Sequence, residues 1–156
     1  MKTLILYATK YGATAEIANR LAAQLDNAST HDLNHGSIPH IKDYECIIIG
    51  SSIYAGTFRK EAKTYLMQNA DELCKKKLGL FICSMGDSNE AEVFKANVPD
   101  AVLQAASAKA SLGGAFDPKK ANIPERLIMK AIAKQSGYVD KINDDKIKTF
   151  AEAMTV

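Results

Sequence analysis

At 156 residues the chain has the length of one domain and can bury a core without disulfide or metal staples; its 47% hydrophobic and 24% charged residues are those of a globular protein, not a disordered or fibrous one. A net charge of +2 is too small to mark a nucleic-acid binder, and no nucleic-acid motif accompanies it. Apolar runs are strand-sized, far short of the roughly 20 residues of a membrane helix, so no membrane span is expected. Lys2 is followed by an apolar run that ends in a polar loop, without a signal-peptide core or cleavage site, which predicts a cytoplasmic protein. Cys46, Cys74 and Cys83 lack CxxC spacing and read as buried free thiols, with a redox pair as the alternative.

Thr3 to Ala8 is a short apolar run of the kind found in a strand buried on both faces. Ile17, Ala18, Leu21, Ala22 and Leu25 then recur at helical spacing, so a helix begins near Thr14. Thr9, Lys10, Tyr11, Gly12, Ala13 and Thr14 form the strand-to-helix loop between them. A helix N-terminus carries unpaired N–H groups and the positive end of the dipole, two hydroxyls bracket a glycine that lets the backbone approach closely, and a phosphate would fit. The plainer reading is a helix cap at Thr14 and a turn at Gly12.

Asn27 to Leu33 is weakly strand-like. His31, His35 and His40 follow in and beside a loop with no helical pairing and no fixed carboxylate, so they read as surface histidines and no metal site is expected. Glu45 to Gly50 is a second buried strand, running into the small-residue loop Ser51, Ser52, Ile53, Tyr54, Ala55 and Gly56, with a helix expected from about Thr57 carrying Phe58, Ala62, Tyr65, Leu66 and Leu73. Leu78 to Ser84 is the next strand, and Ser84, Met85, Gly86, Asp87, Ser88 and Asn89 lead out of it. Val93, Phe94, Val98, Val102 and Leu103 continue at helical spacing, split by Pro99. A last strand is expected over Ala110 to Phe116, with glycines marking close backbone approach. A helix opens at Pro124 with Leu127, Ile128, Ala131 and Ile132 and ends at Gly137. Another starts at Asn143 and buries Ile147, Phe150, Ala151 and Met154.

Strands alternating with helices throughout imply an α/β fold: a single domain over residues 1–156 with a doubly wound, five-stranded parallel sheet of order 2-1-3-4-5. In that order the loops at residues 9–14 and 51–56 meet where the winding reverses. The positions after strands one and three carry Thr9-Lys10 and Gly50-Ser51 rather than the acids of a phosphoacceptor. The first loop has neither the nucleotide-hydrolase nor the dinucleotide glycine pattern, and Gly50-Ser51-Ser52-Ile53-Tyr54 lacks the second glycine of a serine-hydrolase elbow.

Thr9-Lys10-Tyr11-Gly12-Ala13-Thr14 resembles the phosphate loop of the flavodoxins, of the form Thr/Ser-x-x-Gly-x-Thr after the first strand. The resemblance extends through Ile49-Gly50-Ser51-Ser52-Ile53-Tyr54-Ala55-Gly56 and, in order of elements, along essentially the whole chain. Within flavodoxin-like proteins the chain looks most similar to the menaquinone-dependent protoporphyrinogen oxidase family, on the Gly-Ser-Ser-Ile-Tyr segment and a basic helix after the last strand. What the resemblance implies is an FMN site: phosphate on the amides of Lys10 to Thr14 and the hydroxyls of Thr9 and Thr14, the isoalloxazine ring against Ser51 to Gly56 with Tyr54 stacking, and Ser84 to Asp87 bordering the other side. The alternative for Tyr54 is to pack beneath the following helix.

Three departures accompany the resemblance, one being that the longer insertion which the oxidase family carries after strand 4 is shortened here. Met85 to Asn89 offers no aromatic residue, and the chain is slightly basic where flavodoxins are acidic. Arg126, Lys130 and Lys134 form a basic stripe that reads as a solvated face, with an acidic partner or an anionic membrane surface as the alternative. The resemblance therefore implies an FMN-binding electron-transfer flavoprotein with redox partner proteins and no catalytic side chain. The alternative is an FMN-dependent oxidoreductase of the protoporphyrinogen oxidase type passing electrons to a quinone.

Overall fold

The computed structural model describes residues 1–85, 89–116 and 139–156. In chain order they form β1 (Thr3–Ala8), α1 (Ala13–Ala23), β2 (Ala28–Asp32), a 3-10 turn (Ile41–Asp43), β3 (Cys46–Tyr54), β4 (Thr57–Phe58), α2 (Lys60–Gln68), α3 (Ala70–Leu73), β5 (Lys77–Cys83), α4 (Glu90–Asn97), α5 (Asp100–Ala105), β6 (Ala106–Ser111), β7 (Ala115–Phe116), β8 (Val139–Asp140) and α6 (Asp144–Thr155). The long strands are parallel and ordered β2-β1-β3-β5-β6, the expected doubly wound order once the short β4 is set aside; β4 pairs only with β3.

β1, β3 and β5 lie inside the sheet, which is why each reads as a continuous apolar run instead of an alternating one. Their alternate residues serve two cores. Leu4, Leu6, Ile47, Ile49 and Leu80 pack with Ala62, Leu66 and Val102 on the face carrying α2, α4 and α5. Ile5, Ile48 and Phe81 pack with Ile17, Leu21 and Phe150 on the face carrying α1 and α6. Each fully buried Ile, Leu or Phe contributes about 1.5–3 kcal/mol, so this double-sided burial is the main stabilising term. α6 starts where expected: the Asn143 side chain accepts from Lys146 N at 3.0 Å, and Ile147, Phe150, Ala151 and Met154 are buried. Pro99 likewise separates α4 from α5.

Three elements differ from the sequence reading. The expected helix from Thr57 starts only at Lys60 and breaks at Asn69, whose Nδ2 donates to Tyr65 O at 3.0 Å. The last long strand is β6, earlier than Ala110–Phe116. Its Ala-Ser-Ala-Lys-Ala-Ser sequence has no β-branched or aromatic residue, and pairing with β5 overrides that weak propensity. Its small side chains accompany the close seating of α6, whose Phe150 and Met154 lie over Gly79. Finally, β7 leaves the main sheet and pairs antiparallel with β8. The helix expected from Pro124 to Gly137 and the stripe Arg126, Lys130 and Lys134 lie outside the described residues.

Candidate functional site

The winding reverses between β1 and β3, with β2 on one side and β5 on the other, and a cleft of about 360 Å³ opens at their C-terminal ends. The first wall is the loop from β1 into α1. Gly12 occupies the N-cap position at φ 96, a left-handed conformation that an L side chain adopts at a cost. Apart from its chain neighbours, no atom of the described residues lies within 4 Å of where a Cβ would project, so its dihedral, not a close approach to them, requires the glycine.

Thr9 Oγ1 accepts from Gly12 N at 2.9 Å, which uses that amide internally but leaves the hydroxyl proton of Thr9 to donate outward. The first helical bond is Glu16 N to Gly12 O, so the N–H groups of Ala13, Thr14 and Ala15 have no acceptor among the described residues. Thr14 is fully buried, and among the described residues its Oγ1 has no hydrogen-bond partner of ordinary geometry; the buried Tyr11 hydroxyl has none there either. Buried polar groups are almost always paired, so two hydroxyls short of ordinary partners in one loop could both take a polar ligand. Lys10 extends outward, with its ammonium 5.4 Å from the centre of the Tyr11 ring.

The second wall corrects the sequence reading. Ser51 to Tyr54 is not loop but the end of β3, and the chain reverses through Ala55 (φ 51) and Gly56 (φ 76) into β4. Two left-handed central residues are the signature of a type I′ turn, whose twist matches that of a hairpin. Ser52, Ile53 and Tyr54 line the cleft, and Tyr54 is 54% exposed rather than tucked beneath α2. Ser51 is turned away. Its Oγ donates to Ser52 O at 2.7 Å and accepts from Arg59 N at 2.9 Å, tying the hairpin's exit to β3. Ala55 and Gly56 form the exposed turn and do not line the cleft.

The third wall is Ser84 and Met85 after β5. Ser84 N donates to Gly113 O at 3.0 Å, and a Cβ on Gly114 would stand 3.0 Å from the Ser84 carbonyl carbon, so this glycine pair allows the close approach read from the sequence. Gly86 and Asp87 lie outside the described residues. Cys83 also lines the cleft. Burial pushes its thiol up to about 11, moderated by hydrogen bonding to the Thr14 hydroxyl and the Ala115 backbone, so it is a neutral group and not a nucleophile.

Sequence reasoning missed Thr57, Phe58, Arg59, Lys60, Cys83 and Ala115 as lining residues. The first two were legible in principle: Ile53-Tyr54 and Thr57-Phe58 flank two residues ending in glycine, a hairpin pattern. Arg59 Nε lies 3.8 Å from Glu61 Oε2. Among the described lining residues the charged ones are Lys10, Arg59 and Lys60, with no carboxylate. The cleft thus has main-chain and hydroxyl donors on the side of α1 and Ile53, Tyr54, Phe58 and Met85 among the residues lining it elsewhere. Among the described residues no three His, Cys, Asp or Glu side chains come together as a metal site, and His35 Nε2 instead lies 3.5 Å from Asp32 Oδ2.

A family model of the flavodoxin domain matches residues 4–142. The chain belongs to the flavodoxin domain family. Among curated proteins it is 34% identical over 80 residues to "Protoporphyrinogen IX dehydrogenase [quinone]" of Escherichia coli (strain K12), a match covering 47% of this chain and 42% of that protein. The match therefore spans less than half the length of the curated relative. Among solved structures, a putative flavoprotein from Bacteroides eggerthii superposes with a TM-score of 0.61 at 14% identity, covering 99% of this chain and 98% of that one. A Lactobacillus acidophilus flavoprotein crystallised in complex with FMN gives 0.58 at 16% identity, over 70% and 92% of the two chains. At such identities the likeness is one of fold, and it agrees with the flavodoxin resemblance read from residues 9–14 and 49–56. No helix among the described residues is long and apolar enough to cross a membrane.

Proposed function

We propose that this flavodoxin-domain protein binds FMN in the cleft between β1 and β3 and acts in electron transfer. The observation that carries the reading is the buried Thr14 hydroxyl, which among the described residues has no hydrogen-bond partner of ordinary geometry, beside the first-turn amides of α1 that have no acceptor there. These donors suit the dianionic phosphate of FMN, with the Thr9 hydroxyl adding another, and together they hold it without requiring a cation. Ser52, Ile53 and Tyr54 on one side and Ser84 and Met85 on the other would flank the ring, where Tyr54 can stack and the neutral Cys83 thiol adds no charge. The FMN complex of the L. acidophilus protein, which shares the fold, supports the same ligand.

Bound there, FMN supplies the redox chemistry, while the chain binds, orients and tunes it. Lys10, Arg59 and Lys60 make the cleft favourable to added negative charge. Electrons are therefore held at a less negative potential than in a cleft lined by carboxylates. Transfer to a partner protein needs no side-chain acid or base, and the described lining residues include no carboxylate or histidine to serve as one.

A second reading is favoured by the E. coli relative: an FMN-dependent oxidoreductase of the protoporphyrinogen oxidase type, with a quinone as acceptor. Two measurements on the FMN-loaded protein separate the readings. A carrier shows resolved one-electron phases in a stepwise dithionite titration followed by absorbance, and no turnover of protoporphyrinogen with menaquinone. Turnover would reverse the order of the two readings, and protein that stays colourless after incubation with FMN would remove both.

A further inference from the structure

The hairpin wall is held by a side chain that is not part of the cleft. Asn97, at the end of α4 and 7% exposed, meets the hairpin with its amide group. Phe58 N donates to its Oδ1 at 3.0 Å, while its Nδ2 donates to Gly56 O at 2.8 Å and to Val93 O of its own helix at 2.7 Å. Both amide protons and the oxygen are therefore engaged, the fully satisfied arrangement that a buried amide needs. The hairpin itself is short. Its ladder is the two pairs Ile53–Phe58 and Tyr54–Thr57, and its turn places Ala55 at φ 51, where non-glycine residues are uncommon. Arg59 N to Ser51 Oγ ties the hairpin's exit to β3, and a further attachment, the edge-on packing of Phe58 against Phe94 at 6.3 Å between ring centres, also comes from α4.

We propose that Asn97 is a positioning residue: by holding Gly56 and Phe58 it fixes where Ser52, Ile53 and Tyr54 stand, and so sets the site's affinity for a flat aromatic ligand that it does not touch. The identity of that ligand rests on the FMN reading above, whereas the position of the hairpin does not.

The test uses full-length wild type, Asn97→Ala and Asn97→Asp, with two readouts. In ligand-free protein, amide hydrogen exchange at Phe58 speeds up about tenfold or more in Asn97→Ala, as expected for a lost buried hydrogen bond, while Asn97→Asp retains an acceptor for Phe58 N and most of the protection. In fluorescence titrations well below the melting temperature, Asn97→Ala raises Kd about tenfold for both FMN and riboflavin, leaving their ratio at the wild-type value because the phosphate loop is untouched. Asn97→Asp, which loses the donors to Gly56, falls between wild type and Asn97→Ala, and it carries both measurements if the alanine variant does not fold. A merely structural role would lower the melting temperature without moving either Kd. Unchanged exchange at Phe58, or unchanged affinity for both flavins in a folded variant, overturns the proposal. If the wild type binds neither flavin, the FMN reading fails and the exchange result alone decides whether Asn97 holds the hairpin.

Discussion

Replacing Thr14 with valine should make the ligand-free protein more stable and the FMN complex weaker, two effects of opposite sign from one atom. The hydroxyl is fully buried and without a regular partner, so the folded state without ligand carries its desolvation cost, about 1–3 kcal/mol for such a group. The hydrogen bonding between Thr14 and the Cys83 thiol offsets part of that, which places the expected gain from Thr14→Val near 1 kcal/mol. For a domain of this size that is a rise of about 2–4 °C in melting temperature. In the complex the same hydroxyl donates to a charged phosphate oxygen, a bond of about 1.5–3 kcal/mol, so Kd for FMN should rise roughly tenfold to 150-fold. Riboflavin, which has no phosphate, should bind as tightly to the variant as to wild type. Thermal unfolding without ligand and fluorescence titration with both flavins measure all of this. A variant that is less stable without ligand and binds FMN as tightly as wild type would refute the reasoning, because Thr14 would then be an ordinary packed residue.

Gly12→Ala should destabilise by about 1–2 kcal/mol in urea denaturation through backbone strain alone, since nothing stands within 4 Å of the added Cβ; no measurable change would mean the loop is not held at φ 96. Gly50→Ala should cost about 3 kcal/mol, because its Cβ would fall 2.0 Å from Phe81 Cζ, and pairing it with Phe81→Leu should recover part of the loss; an additive double variant would contradict this packing account. Alkaline stability follows most from two groups whose burial raises their pKa in the folded state, Cys83 from 9.0 to about 11 and Tyr65 from 10.0 to about 12, with burial also raising Cys46 and Tyr7. Well below pH 9 these groups keep their protons, folded or unfolded, and stability is at its full value; as pH rises through 9 the unfolded chain releases its cysteine protons first. Urea midpoints should therefore fall as pH rises from 9 through about 11, and Cys83→Ala should flatten the early part of that fall.

The sheet was legible because its central strands are buried on both faces and so appear as apolar runs bounded by polar loops, as at Thr3–Ala8 and Cys46–Gly50. The turn from β1 into α1 was legible because the conformation there is local: a glycine at a positive φ opens a helix, with a threonine on either side. Features that depend on distant partners were not. Ala106–Ser111 has helical composition and becomes a strand because β5 offers it an edge. Ser51 reads as one more loop hydroxyl until the fold brings Arg59 N to it. Asn97 sits within a helix, and only the arrival of Gly56 and Phe58, about forty residues upstream, gives it a role. The hairpin at Ala55–Gly56 is a different case, because its two-residue turn pattern lay within reach of local reasoning and was read as the approach to a helix.

The central claim is that the head of α1 receives the phosphate of FMN. The most direct measurement is the difference between two amide NMR maps of the protein, one recorded with FMN and one with riboflavin. The account predicts that shifts unique to FMN concentrate at residues 9–15, while shifts common to both flavins fall on Ser52 to Tyr54 and on Ser84 and Met85. FMN-specific shifts that avoid residues 9–15, or identical maps for the two flavins, would contradict it.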